Sequence, residues 1–151
     1  MVTAMLLGSR FSVVTMWKHW FHLYEKTISD LSIQDHVASI RSIDVAPDNQ
    51  SLLAGKEEDI FPLLLAEADA AIAEDGADVI LLGSTTMHQA HKHLSDNLDV
   101  PVINPGPLTY KLVEAMLGLG LSHSRAAYPA SPVPRTEMIA AMMAAAGQFE
   151  H

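Results

Sequence analysis

Apolar and polar positions along the chain fall into alternating blocks with two different periods. Phe11-Ser-Val-Val-Thr15 is a short β-branched run behind Gly8-Ser9. From Met16 to Asp30 the residues Trp17, Trp20, Phe21, Tyr24 and Ile28, followed by Leu31, recur at helical spacing, which predicts a strand and then a helix. Residues 37–45 (VASIRSIDV) alternate loosely between β-branched and polar, as a partly covered strand does, and Pro47-Asp48-Asn49 breaks that pattern into a loop. Between about Glu58 and Asp75, Ile60, Leu64, Ala68, Ala71 and Ile72 form one stripe. Pro62 is tolerated only in a first turn, so this helix starts near Asp59, and Gly76 is placed to end it.

Residues 78–83 (DVILLG) are continuously apolar, which suits a strand covered on both faces in a parallel sheet, and Ser84 and Thr85 follow where the next helix needs its cap. Val100-Pro-Val-Ile-Asn104 predicts a fourth strand and Pro105-Gly-Pro107 a tight turn. Leu108, Leu112, Ala115, Met116 and Leu119 then make a helical stripe ended by Gly118 or Gly120. Residues 121–134 are a connector rich in Ser, Pro and Ala, and Met138, Ala141, Met142, Ala145 and Phe149 line a last amphipathic helix.

Strands alternating with helices predict an α/β fold of three layers, a mainly parallel sheet of about four strands with helices on both faces. The division expected is an α/β lobe over residues 1–125 and a connector with a C-terminal helix over 126–151. In such sheets ligands bind at the carboxyl ends of the strands, where Thr15, Gly83-Ser84-Thr85-Thr86 and Asn104-Pro-Gly converge. A helix opening with Ser84-Thr85-Thr86 would offer backbone N–H groups, a positive dipole end and three hydroxyls to a small anion. The same hydroxyls have an equally ordinary use as helix caps, and spacing alone leaves both readings open.

Composition narrows the chemistry. The chain has 151 residues, 49% of them apolar, enough for one ordinary domain with a real core. No apolar run approaches the roughly 18 residues of a membrane span, and no basic segment precedes the short Met1–Leu7 stretch, so a cytoplasmic protein with no membrane partner is expected. The absence of cysteine excludes a disulfide framework and any thiolate metal site. Nine basic residues against eighteen acidic ones give a net charge of −9 with no Lys or Arg cluster, which argues against a nucleic-acid partner.

His88 and His91 share a helix face, with His93 displaced from it, but no HExxH arrangement or carboxylate at ligand spacing accompanies them, so no metal site is expected. His19 and His22 lie among Trp17, Trp20 and Phe21, as rings packed at a core edge do. Neither GxGxxG nor GxxxxGK[ST] occurs, and Gly83-Ser84 is not part of a GxSxG elbow, which removes support for nucleotide enzymes and α/β-hydrolases.

Four stretches together resemble the aspartate/glutamate/hydantoin racemase superfamily, hydantoin racemase branch. They are Leu6-Leu-Gly-Ser-Arg-Phe-Ser-Val-Val-Thr15, Ala77-Asp-Val-Ile-Leu-Leu-Gly83, Val100-Pro-Val-Ile-Asn104, and Lys111-Leu through Gly118-Leu-Gly-Leu-Ser-His-Ser-Arg125 to Ala127-Tyr-Pro129. The likeness covers nearly the whole chain but only the latter part of a usual member, which has two similar α/β lobes with the active site between them. It implies cofactor-independent racemisation of an amino acid, a hydantoin or a related small carboxylate, by two thiols on opposite faces of an acidic carbon.

Ser84 stands where the family has its second cysteine, and the first would come from the lobe not represented. The resemblance therefore implies Ser84 and His88 as catalytic candidates, with Thr15, Thr85, Thr86 and Asn104 lining the substrate cleft. Alternatives of other classes are a truncated, non-catalytic remnant, because Met1 and Met5 sit where the second lobe starts, and a small-anion-binding domain that self-associates into a homo-oligomer through its bared apolar face.

Overall fold

Two interior strands are buried along their whole length, and their apolar residues are sorted onto opposite faces of one sheet. The computed structural model describes residues 1–46 and 59–146; the Pro47-Asp48-Asn49 break and Phe149 lie outside the described residues. In it β1 (Phe11–Thr15) and β3 (Val79–Leu82) are buried at every position. Phe11, Val13, Val79 and Leu81 join one cluster with Ile28, Ile33 and Ile103; Val14, Ile80 and Leu82 join the other with Leu64, Ala68, Ala71 and Leu94. Side chains alternate across a strand, so burial on both faces calls for apolar residues at successive positions, as in β3, while the buried Ser12 and Thr15 hydroxyls of β1 are hydrogen-bonded, to Ser39 and Tyr24.

The helices divide accordingly. The second cluster is closed by α2 (Phe61–Ala73) and α3 (Ala90–Asn97); the first by a 3-10 turn at Ala4–Leu6, by Ile28 of α1 (Phe21–Leu31) and by Leu108 of α4 (Pro105–Gly118). With β2 (Val37–Ser42) and β4 (Val102–Ile103) the sheet has the order β2-β1-β3-β4, parallel throughout, with Phe11 beside Val79 and Ile80 beside Val102. The chain runs from β1 to β2 on one side and returns to β3 on the other, which makes the gap between β1 and β3 the topological switch point.

Several element bounds differ from the pattern. A 3-10 turn, Lys18–Trp20, precedes α1. Proline has no amide hydrogen to donate, so β4 is short: Pro101 contributes only its carbonyl, which accepts from the Ile80 amide at 2.9 Å. Helix α4 begins at Pro105, not Leu108, because proline's fixed φ suits the first helical position and Asn104 precedes it as a cap. It ends in a Schellman arrangement, with Gly120 at φ +70 and the Leu121 and Gly120 amides bonded to Met116 O and Leu117 O at 2.8 and 3.0 Å.

Two carboxylates in the turn that leads into β3 form clamps to neighbouring strands. The Asp78 carboxylate accepts the Ser9 and Arg10 amides at 2.8 and 2.9 Å, which holds it below the usual carboxylate range and fixes the entry to β1. Arg41 of β2 binds Asp75 through Nε at 2.6 Å and Nη2 at 3.1 Å, and Glu74 at 2.6 Å. The Arg41 guanidinium lowers the Asp75 carboxyl to about 2. The carboxyl ends of β3 and β4 carry none of these groups.

The chain divides into two compact units, residues 1–112 and 113–151. The first holds the sheet. The second takes the end of α4, the connector and α5 (Thr136–Ala146), and none of its described residues is buried. Among the described residues no helix is long and apolar enough to cross a membrane.

Candidate functional site

Strand β1 delivers Thr15 to its carboxyl end, where the side chain is fully buried. Tyr24 reaches over from α1 and donates its phenolic proton to Gly83 O at 2.8 Å. That proton being committed, the 2.9 Å contact between Thr15 and Tyr24 has the threonine hydroxyl as donor and the phenol oxygen as acceptor. Glycine is required at 83: a Cβ there would lie 2.6 Å from the Tyr24 hydroxyl and 2.8 Å from Thr15 Cβ. Burial pushes the Tyr24 phenol above its ordinary value, so the latch keeps its proton at neutral pH. Thr15 thus lies beneath the β1–β3 switch point, held by Tyr24.

Past Gly83 the chain carries half-buried Ser84 into a single 3-10 turn, Thr85–Met87, whose Met87 amide bonds back to Ser84 O at 3.3 Å. Helix α3 starts only at Ala90, and its N-cap Gln89 makes no side-chain capping bond. Contrary to the expectation from sequence, Ser84 and Thr85 therefore do not cap an α-helix. Two adjacent β-branched threonines favour a tight turn over helix, and burial of Met87 anchors that turn on the core. Thr86 lies within the turn, and its side chain is outside the described positions.

Past β4, Asn104 caps α4, its Oδ1 accepting the Gly106 amide at 3.3 Å. Its Nδ2 donates to His88 O at 3.3 Å, which ties the loop after β4 to the loop after β3. Above this tie is a groove of about 360 Å³ lined by Thr85, His88, Gly106, Pro107 and Tyr110. A Cβ at Gly106 would meet Thr85 at 3.9 Å and Asn104 Oδ1 at 3.7 Å, ordinary contact distances. The structure therefore brings Thr85, His88 and Asn104 together, with Ser84 adjacent in the chain.

The next two histidines contact other elements. His91 Nε2 donates to Val102 O at 3.1 Å, satisfying a carbonyl of the edge strand. His93 packs its ring against Phe61 at 5.8 Å. Among the described residues no three His, Asp or Glu side chains are grouped to hold a metal. Tyr24 and Tyr110 join the candidate site without being marked as site residues by sequence pattern, whereas Gly106 was marked in the Asn104-Pro-Gly strand end and Pro107 only as part of the turn. Tyr24 is hidden in an apolar stripe; Gly106 and Tyr110 share a helix face only once α4 is started at Pro105.

A sequence profile of the family described as Asp/Glu/Hydantoin racemase matches residues 1–113. The chain belongs to the Asp/Glu/hydantoin racemase family. This racemase-family chain is 35% identical over 131 residues to a hydantoin racemase from Rhizobium meliloti, a match covering 83% of the chain and 52% of the relative. It is 32% identical over 124 residues to one from Pseudomonas sp. (strain NS671), covering 81% and 48%. The allantoin racemase of Pseudomonas fluorescens superimposes with a TM-score of 0.73 at 30% identity, over 88% of this chain and 55% of that one. The allantoin racemase from Klebsiella pneumoniae gives 0.69 at 26%, over 82% and 49%. The chain spans about half the length of the relatives it matches.

Proposed function

We propose that the groove over β3 and β4 binds a hydantoin, or a related small carboxylate or amino acid, and moves a proton at its acidic carbon without a cofactor. The observation that carries this reading is that Thr85 and His88 line one groove at the carboxyl ends of the sheet, with Asn104 bonded to the His88 carbonyl, in a chain of this family. Relatives named as hydantoin and allantoin racemases support the substrate class.

A C–H beside a carbonyl ionises because the electron pair spreads onto the oxygen, so the site must supply a base at the hydrogen and donors at the oxygen. Histidine is the side-chain type that takes and returns a proton at neutral pH, whereas a serine hydroxyl does so only with help. His88 is accordingly the acid–base group, and Ser84, in the place of the family cysteine, serves it as hydroxyl partner. Thr85, Thr86 and the Asn104 amide take the substrate oxygens, and Thr15 acts from beneath through Tyr24 and Gly83.

Inversion by the family's route uses one group on each face of the carbon; the groove supplies one face. A single base returns the hydrogen to the side it left, giving exchange with retention. In D2O, NMR should show the α-hydrogen of an enantiopure 5-substituted hydantoin lost faster with the protein than in buffer. His88→Ala should slow that loss by about 100-fold. An unchanged rate in His88→Ala would remove His88 from the reaction.

A further inference from the structure

The groove over β3 and β4 has two unlike walls. Thr85 and His88, from the loop after β3, bring a hydroxyl and an imidazole; Gly106, Pro107 and Tyr110, from the first two turns of α4, bring no charged group. Gly106 and Tyr110 stand at i and i+4, which sets the tyrosine one helical turn beyond the glycine on the same face. Glycine at 106 keeps the space beside it open: a Cβ there would already be 3.9 Å from Thr85, so a longer side chain would fill the gap between α4 and that threonine. Glycine is a poor helix former, so the helix itself does not call for it at this place. Tyr110 is 75% exposed and is the one aromatic among the large exposed hydrophobic side chains described in residues 1–112. Among the described residues its ring pairs with no other ring. The face of an aromatic side chain left uncovered at the rim of a groove is a surface on which a second ring stacks.

The geometry points to Tyr110 as the residue that selects the side group of the substrate: the groove prefers a hydantoin whose C5 carries an aromatic ring over one that carries a small aliphatic group. The inference rests on the reading of the groove as a hydantoin site. A hydantoin ring is planar and polar, and its carbonyl and N–H groups find their partners on the Thr85–His88 wall. The C5 substituent leaves the ring from the reacting carbon itself, so placing that carbon at His88 directs the substituent across to the α4 wall of Gly106, Pro107 and Tyr110. The volume of about 360 Å³ lies at the lower end of the roughly 300–1,000 Å³ of small-molecule pockets and exceeds what a bare five-membered ring fills. An aromatic substituent buries area there and meets the tyrosine ring offset or edge-to-face, whereas a methyl group has no ring face and little area to offer. With the rim open at Tyr110, selection works by attraction of the large group and not by a clash with the small one.

Ligand-observed NMR titration of the full chain with 5-benzylhydantoin and with 5-methylhydantoin tests this through binding, independently of proton transfer. The native chain should bind the benzyl compound about 10-fold more tightly. Tyr110→Ala should bring that ratio down to about 2 by weakening the benzyl compound, and Tyr110→Phe should keep it, because the ring face and not the hydroxyl carries the preference. Gly106→Leu, which grows a side chain into the gap beside Thr85, should weaken the benzyl compound by about 10-fold. Leu63→Ala, at a leucine of α2 exposed to 48%, should leave both constants as they are. Equal affinities in the native chain, or a ratio that survives Tyr110→Ala, would overturn the inference, and so would a ratio lost in Tyr110→Phe. Exchange in D2O is read separately on the same samples. A Tyr110-dependent benzyl preference without exchange removes the proton transfer and leaves the selection standing; exchange with a ratio indifferent to Tyr110 does the reverse.

Discussion

One phenol hydroxyl closes the gap between the two interior strands. Tyr24 accepts from Thr15 and donates to Gly83 O, so Tyr24→Phe strands a buried hydroxyl donor and a carbonyl acceptor together. Urea unfolding followed by tryptophan emission should show a loss of about 1–3 kcal/mol. Gly83→Ala should cost as much, because its methyl would collide with that hydroxyl and with Thr15, while Gly106→Ala should stay within about 1 kcal/mol. Equal costs for the two glycines would contradict the latch. None of this was legible in the sequence: a tyrosine among Trp17, Trp20, Phe21 and Ile28 reads as packing, and a bond spanning 59 residues leaves no trace in local spacing.

The strands and most helices, by contrast, were legible because burial imposes period. Residues 79–82 had to be apolar without interruption once both faces were covered, and the α2 stripe read true through Leu64, Ala68 and Ala71. Where the pattern misled, a local preference had overridden it: proline as a first helical residue at 105, proline without an amide at 101, and paired threonines at 85 and 86. The clamps joining these elements set the response to acid. Asp75 and Asp78 have folded-state values depressed below the ordinary carboxylate range, so their contribution is whole above about pH 4 and is lost as pH falls toward 2. The urea midpoint should therefore fall from pH 5 to pH 3, and the fall should be shallower in Asp75→Asn, which starts from a lower midpoint. A slope identical in wild type and Asp75→Asn would exclude the Arg41–Asp75 pair as a source.

At the scale of the whole molecule, residues 1–112 build a sheet with a groove at its carboxyl ends, and the family profile covers the same stretch. The resemblance legible in Leu6–Thr15, Ala77–Gly83, Val100–Asn104 and Lys111–Pro129 rests on contiguous stretches, which explains why family and fold could be read from the sequence while groove geometry could not. The loops after β3 and β4 meet through a side-chain amide and a backbone carbonyl, Asn104 and His88, sixteen residues apart. Under the proposed function, with His88 as the acid–base group on one wall, the groove would transfer a proton from one side only. Deuterium incorporation and optical rotation, followed in the same tube on one enantiomer of a 5-substituted hydantoin, test this most directly. Incorporation should outrun loss of rotation and should depend on His88. Incorporation no faster than in buffer, or rotation lost in step with incorporation, would contradict it.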